Sequence, residues 1–371
     1  MIIGIDGNEA NVSRLVGIGE YAFQLLKHFH SANLQDVEFR IYLKGKPLPH
    51  MPPKSKKWKY VIVGPRKLWT QIGLPIYLFT HLPRPNVFFT PSHYAPRVSP
   101  VPTAVSVMDL SYVHFPELFA KKDLYQLREW TKYSVRNAKK IFTISESSKN
   151  DIINYYRIPS DRVVVTHLGM KDRQDTPVSF DELQKKFALP KKYILFVGTI
   201  QPRKNIGRLI DGFAAVAKKH KDVDLVIAGK KGWMYEPILA EPAKMGIENR
   251  VHFLDFVNDA ELAGLYTNAI CYCLPSLYEG FGLPILEAMQ YGCPVIASNV
   301  SSLPEAGGDA CLYVDPERPT DIAQKIVELI EKPALRKKLK EKGLEHIKKF
   351  SWTKAAAQTL VVLEELRGKK I

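Results

Sequence analysis

The sequence predicts an α/β protein built from two successive doubly wound domains. Short β-branched or aromatic runs alternate with amphipathic helical stretches along the whole chain. The alternation restarts after a polar, proline-containing segment near residue 175, and 371 residues are too many for one comfortable core.

The first half opens with the strand IIGID, a glycine-containing loop and the helical stretch EYAFQLLKHFH, which is the opening unit of a parallel sheet. FRIYL, YVIVG, VFFTP, TAVSVMD, KIFTISE and RVVVTHL repeat the strand pattern. KDRQDTPVSFDELQKKFALPKK is poor in apolar residues and reads as a linker with a short helix. YILFVGT then begins the second half, followed by NIGRLIDGFAAVAKKH, DLVIAG, VHFLDF, DAELAGLYTNA, ICYCLP, PILEAMQYG, PVIASN and CLYVD. The expected domains are residues 1–175 and 176–350, with residues 351–371 as a helix returning to the first domain. Doubly wound sheets bind ligands at the carboxyl ends of their strands, so a central cleft between the two halves is the expected active site.

A composition of 46% hydrophobic and 25% charged residues leaves no large segment that must be disordered. No apolar run is long enough to span a bilayer, and MIIGIDGNEANV has neither the basic start nor the cleavage site of a signal peptide. A cytoplasmic protein is expected. Cys271, Cys273, Cys293 and Cys311 lie in apolar runs without metal-type spacing and read as reduced core residues.

The net charge of +15 favours anionic partners. No nucleic-acid recognition module accompanies it, and the basic residues are spread over both halves, so nucleic acid is not an expected partner. In LRKKLKEKGLEHIKK the charges read as a solvated helix face, leaving Leu335, Leu339 and Leu344 to pack. Residues 54–84 mix Lys and Arg with Trp, Tyr and Leu, which suits contact with an anionic membrane surface. Basic side chains lying over apolar surface of the domain would explain the same pattern.

The stretch SLYEGFGLPILEAMQYGCPVIAS carries the most chemistry. A strand ends, a glycine-rich turn follows, and Pro284 stands where a first helical residue would be. The amides of Phe281, Gly282 and Leu283 would then point outward at the positive end of a helix, a site for a diphosphate. Glycine, here Gly280 and Gly282, lets a ligand come close. Glu279 before the turn and Glu287 in the helix would border the same pocket and accept hydrogen bonds from sugar hydroxyls. A plain turn, with Glu287 complementing the helix dipole, is the bland alternative.

EGFGLPILE resembles the glutamate, seven residues, glutamate motif of retaining glycosyltransferases of family 4, whose architecture of two Rossmann-like domains is called GT-B. The likeness extends to FVGTIQPRKN and GCPVIASNVSSLPEAGGDACLYVDP, and more loosely to IGIDGNEA, VGIGEYAFQLL, VMDLSYVHFPELF and FTISESSKNDI. It implies that Arg203 and Lys204 neutralise the donor diphosphate, beside Gly198 and Thr199. It places Glu287 at the nucleotide ribose, Glu279 at the donor sugar, and Phe256 with Val257 at the base. A solvated turn would also explain the basic pair, and strand core would explain Phe256 and Val257.

Gly17 and Gly19 precede the first helix, where their amides would approach phosphate or acceptor; turn geometry explains them nearly as well. Many relatives carry His-Asp-Leu where this chain has Met108-Asp109-Leu110. Asp109 remains a candidate to orient the reacting groups, with His93 or His114 as candidates to approach the cleft. The family resemblance implies metal-independent catalysis without a cofactor beyond the donor. Asp222-Val223-Asp224 opens a strand after KKHK and is read as turn and capping chemistry rather than as a metal pair.

GTIQPRKN, SLYEGFGLP and DLSYVHFPE most resemble bacterial mannosyltransferases of O-antigen and capsule assembly. GDP-mannose is therefore the first donor expected, with a UDP-sugar as the other, and a glycan or lipid-linked hydroxyl as acceptor. A non-catalytic nucleotide-sugar-binding protein, and a phosphorylase or sucrose-type synthase on the same fold, are the alternatives.

Overall fold

The computed structural model describes residues 1–32, 34–170 and 176–367. The chain divides into two compact units, Met1–Gly169 with the segment from Phe350 onward, and Met170–Lys349. Among the described residues no helix is long and apolar enough to cross a membrane.

Unit 1 contains β1 (Ile2–Asp6), α1 (Ile18–Ser31), β2 (Glu38–Leu43), β3 (Trp58–Ile62), α2 (Leu74–Thr80), β4 (Val87–Thr90), β5 (Thr103–Ser106), α3 (Ser111–His114), α4 (Lys121–Asn137), β6 (Lys140–Thr143), α5 (Glu146–Tyr156) and β7 (Val163–Val165). Its parallel sheet runs β3-β2-β1-β4-β5-β6-β7. β4 and β5 are buried along their whole length, which is why VFFT and TAVS read as unbroken runs rather than alternating ones.

Unit 2 contains α6 (Phe180–Phe187), β8 (Tyr193–Val197), α7 (Ile206–Lys219), β9 (Asp224–Ala228), α8 (Glu236–Lys244), β10 (Val251–Leu254), α9 (Asp259–Asn268), β11 (Cys271–Leu274), α10 (Leu283–Gln290), β12 (Val295–Ser298), α11 (Leu303–Gly307), β13 (Cys311–Val314), α12 (Pro319–Glu331) and α13 (Pro333–His346). The parallel sheet order is β10-β9-β8-β11-β12-β13. α14 (Trp352–Glu365) closes the described chain and packs against α1 of unit 1.

In both sheets the strand order reverses once, between β1 and β4 in unit 1 and between β8 and β11 in unit 2. Such switch points open a crevice at the carboxyl ends of the two strands.

Some local readings change and others hold. Residues 171–175 of the expected linker lie outside the described residues; the rest holds the short helix expected there, α6. Ser179 and Glu182 form a capping box that starts α6, and α6 packs against α9. In α13 the packed stripe runs through Leu339, Gly343 and His346, while Leu344 is 38% exposed. A Cβ at Gly343 would stand 2.9 Å from Met289 Cγ, so α13 lies on α10 through a glycine, and His346 Nε2 reaches the Ala306 carbonyl at 2.9 Å. All four cysteines are buried with free thiols, and burial pushes the Cys271 thiol up to about 12. Asp222 is held by Lys192 at 2.6 Å, and Asp224 by Arg250 at 2.5 Å and His252 at 2.8 Å, so both carboxylates of that pair serve internal ion pairs.

Candidate active site

The switch point of unit 2 gathers residues from two distant stretches. After β8 the chain makes a tight turn, Pro202–Lys204, ended by Asn205 at φ 59°. The Asn205 side-chain amide fixes that turn by donating to the Pro275 and Pro316 carbonyls at 2.9 and 2.7 Å. After β11 the chain passes through Ser276 to Glu279. Lys204 Nζ lies 2.5 Å from Glu279 Oε1, and Arg203 Nη1 lies 3.1 Å from Glu279 Oε2 and 2.5 Å from the Tyr278 carbonyl. Ser276 Oγ donates to Glu279 Oε1 at 2.7 Å. The Glu279 backbone is held as well, its amide on Ser301 Oγ and its carbonyl on Ser302 Oγ.

Two cations and one carboxylate, nearly all buried, therefore form one unit. Burial alone would raise the Glu279 pKa; the Lys204 and then the Arg203 charge more than offset it and hold the carboxyl at about 2. Glu279 stays ionised at neutral pH, and the triad keeps a net charge of about +1, the combination expected of a site awaiting an anion.

The turn after Glu279 is packed into the unit. Gly280, Phe281 and Gly282 are buried, the Phe281 ring to 2% exposure, because the ring packs inward instead of leaving the turn to solvent. Gly282 caps α10 at φ 109°, a conformation that glycine alone adopts without strain. Leu283, not Pro284, is the first helical residue, and Leu283 and Glu287 keep partial exposure. Gly198 directly follows β8, and Thr199 is exposed beside it. The loop after β8 is zipped to the loop after β9 by Ile200 N–H to the Lys230 carbonyl and Gly232 N–H to the Ile200 carbonyl. Phe256 is 65% exposed beyond the end of β10, so it is not strand core; Val257 is half-buried.

Sequence reasoning missed Gln201. It is 4% exposed, and its Oε1 is buried with no hydrogen-bond partner among the described residues, a costly arrangement unless a ligand supplies the donor. Its place next to PRK was the available signal. Ser276, which orients Glu279, carried none.

In unit 1, Gly17 caps α1 at φ 51° and is exposed. The Gly19 amide donates to the Val16 carbonyl at 3.0 Å, and a Cβ there would meet the Glu9 carbonyl oxygen at 2.9 Å. Packing explains Gly19, and its amide is not aimed at a ligand. Asp109 follows β5 and accepts from the Ser111 amide at 2.8 Å. His114 is drawn to Asp151, 3.2 Å away. His93 follows β4, the neighbouring strand; its Nδ1 is buried without a hydrogen-bond partner among the described residues. Burial lowers the His93 pKa, and the Asp109 charge opposes that. Of the two histidines, His93 is the one set beside Asp109.

Residues 179–346 match the model of the family described as glycosyl transferases group 1. The chain is 33% identical over 280 residues to the O-antigen chain mannosyltransferase B of Escherichia coli, covering 74% of this chain and 73% of that protein. It is 33% identical over 223 residues to the serotype-specific mannosyltransferase WbdA of Escherichia coli, and there the match takes in only 27% of the longer relative. Among solved structures, Anabaena Alr3699/HepE in complex with UDP-glucose superposes with a TM-score of 0.70 at 16% identity, covering 98% of this chain and 99% of that one. The fold is thus the two-domain GT-B architecture, and the chain belongs to the group 1 glycosyltransferases.

Proposed function

We propose that this glycosyltransferase moves mannose from GDP-mannose to the hydroxyl of a glycan or lipid-linked acceptor, with retention of anomeric configuration and without a metal ion. The observation that carries the nucleotide-sugar part is the buried Arg203–Lys204–Glu279 triad at the switch point of unit 2. Departure of a nucleoside diphosphate leaves negative charge on its terminal phosphate. A preformed, net positive and largely dehydrated group stabilises that charge without reorganising, which is the most effective form of electrostatic catalysis. Glu279 holds the two cations in place and stays a hydrogen-bond acceptor for sugar hydroxyls, because its proton is lost far below neutral pH.

Glu287, on the exposed side of the first turns of α10, takes the ribose, with Phe256 and Val257 at the base. Gln201 supplies a further acceptor to the donor. Unit 1 binds the acceptor; Asp109 and His93 orient the acceptor hydroxyl. As the bond from the anomeric carbon to the diphosphate oxygen breaks and the bond to the acceptor oxygen forms on the same face, the acceptor proton passes to that diphosphate oxygen. The two mannosyltransferase relatives support the choice of mannose, and the UDP-glucose complex of a neighbour of like fold supports the donor class.

Peripheral contact with the inner membrane face belongs to the same reading. A wide turn, Trp69–Gly73, runs into α2, burying Trp69, Leu74 and Leu78 while Leu68, Ile72, Ile76 and Phe79 stay exposed beside Arg66 and Lys67. An apolar stripe flanked by cations matches an anionic bilayer surface.

Titration of the protein with GDP, UDP and their mannose, glucose, galactose and N-acetylglucosamine derivatives, with and without chelator, tests the proposal. Chelator-insensitive binding of the guanosine series with slow release of mannose is the expected result. Binding of uridine derivatives alone would transfer the donor to a UDP-sugar. No nucleotide binding by folded protein would remove the donor reading altogether.

A further inference from the structure

Unit 1 carries a second concentration of positive charge away from the carboxyl ends of its strands. A cavity of about 720 Å³ is lined by Arg128, Lys132 and Arg136 of α4, Arg157 and Arg162 beyond α5, and the ring of Tyr155. Glu129 is the one carboxylate in that lining. Arg162 immediately precedes β7, and Arg136 lies in the last turn of α4 just before β6, so the cavity sits at the amino ends of these strands. Asp109 stands at the other end of the sheet.

Helix-end chemistry accounts for part of this cluster. Arg162 Nη2 caps α4, donating to the Val135 carbonyl at 2.7 Å, to that of Arg136 at 3.1 Å and to that of Ala138. Arg136 and Arg157 stand where α4 and α5 end, and cations are favoured there. Arg128 and Lys132 are in the body of α4, where that explanation fails. With Arg136 they form a row of like charges at four-residue spacing, which costs a helix stability. Among the described residues the side chains of Arg128, Lys132, Arg136 and Arg157 make no ion pair or hydrogen bond, and Arg128 Nε is buried without any partner. A buried guanidinium nitrogen in a field of like charges calls for an anion.

We propose that this cavity is a binding site for a multiply charged phosphorylated anion, independent of the donor site in unit 2. Arginine forks match phosphate oxygens, and a row eight residues long spans about 12 Å of helix, more than a single phosphate fills. A free polyphosphorylated compound and the headgroups of anionic lipids share this chemistry.

The probe for a free anion is inorganic tripolyphosphate, titrated into the full chain and into Arg128→Gln/Lys132→Gln. Wild type is expected to bind with a salt-dependent affinity, and the double variant to bind at least about tenfold more weakly. Arg157→Asn guards against a folding artefact: Arg157 sits at φ 54°, which Asn tolerates better, so this variant keeps its melting temperature while binding more weakly. Lys204→Ala run in parallel separates the two sites. Tripolyphosphate binding that Lys204→Ala abolishes and the unit 1 variants leave unchanged overturns the proposal, as does an absence of tripolyphosphate binding in wild type together with vesicle sedimentation that the unit 1 variants leave unchanged.

Vesicles of phosphatidylglycerol, compared with phosphatidylcholine, identify the source. Sedimentation of wild type with the anionic vesicles that the double variant and Arg157→Asn lose assigns lipid headgroups. Variant-sensitive tripolyphosphate binding with unaltered sedimentation assigns a free phosphorylated anion. Insensitivity of both probes to all three substitutions leaves the cluster as helix-end and surface charge, and the site does not exist.

Discussion

The two switch points share a topology and differ in their treatment of a buried carboxylate. At the end of β1 in unit 1, Asp6 is held by the amide and side chain of Asn8 at 3.0 and 2.6 Å and has no ion pair among the described residues. Burial pushes it up to about 6, against the lowering from Asn8. At the end of β11 in unit 2, the equally buried Glu279 is held at about 2 by Lys204 and Arg203. The same sheet geometry thus leaves one buried carboxyl among uncharged hydrogen-bond partners and sets the other between two cations. On the proposed function, topology sets where a ligand can sit, and the paired cations make unit 2 the place for its anionic part.

The sharpest way to break the contrast is Lys204→Ala. Turnover is expected to fall by about two to three orders of magnitude, the scale of losing one transition-state donor. A steady-state assay with the preferred donor measures it, and activity within a few-fold of wild type would remove Lys204 from that role.

Glu279→Gln tests the electrostatics next. The folded pKa of about 2 lies below the ordinary 4.5, so the carboxylate stabilises the fold above about pH 4.5 and loses that contribution as pH falls toward 2. The linked free energy is on the order of 3 kcal/mol. Urea unfolding at pH 7 and pH 3 should show a large deficit for the variant at pH 7 that shrinks at pH 3. Equal deficits at both pH values would mean that the lost packing, not the ion triad, matters.

Asp6→Asn should act in the opposite sense. Its folded pKa is raised from 3.8 to about 6, so ionisation destabilises the fold, and stability declines as pH rises between those values. Asparagine keeps an acceptor for Asn8 and removes the charge. Its melting temperature should exceed that of wild type by a few degrees at pH 8 and match it at pH 4; a variant less stable at pH 8 would show that the ionised form is favoured.

Smallest in functional effect is Cys273→Ser, in the fully buried β11 two residues before Pro275. Putting a hydroxyl there should cost about 1–3 kcal/mol of stability and leave the kinetics of the folded protein unchanged. A catalytic defect at normal stability would contradict a purely structural role.

The apolar strand runs were legible from composition alone, because parallel strands buried on both faces need nothing but apolar side chains. The stretch EGFGLP stood out for its local chemistry, and PRK through the family resemblance of FVGTIQPRKN. What the sequence hid was their relation: Arg203 and Glu279 are 76 positions apart, and no local pattern says that the cations close on that carboxylate. Gln201 and Ser276 were hidden for the same reason. In α13 the apolar spacing favoured Leu344, whereas the helix approaches α10 through Gly343; hydrophobicity counts side chains and is blind to a contact made possible by the lack of one. The inward turn of Phe281 was equally invisible, since an aromatic in a glycine-rich turn fits either direction.

Gly169 leaves a Cβ-sized space that the backbone of Trp352 fills, only 2.0 Å from where that carbon would stand, and the buried face of α14 lies on α1 with Trp352 near the Tyr21 ring. During translation this helix emerges only after the whole of Met170–Lys349 has left the ribosome. The first sheet must therefore wait, with one side of α1 bare, while the second is made and folds. Premature termination anywhere in the second sheet would strand the first one in that half-covered form, so a nascent chain of this design presents its greatest demand on chaperones early and releases it last.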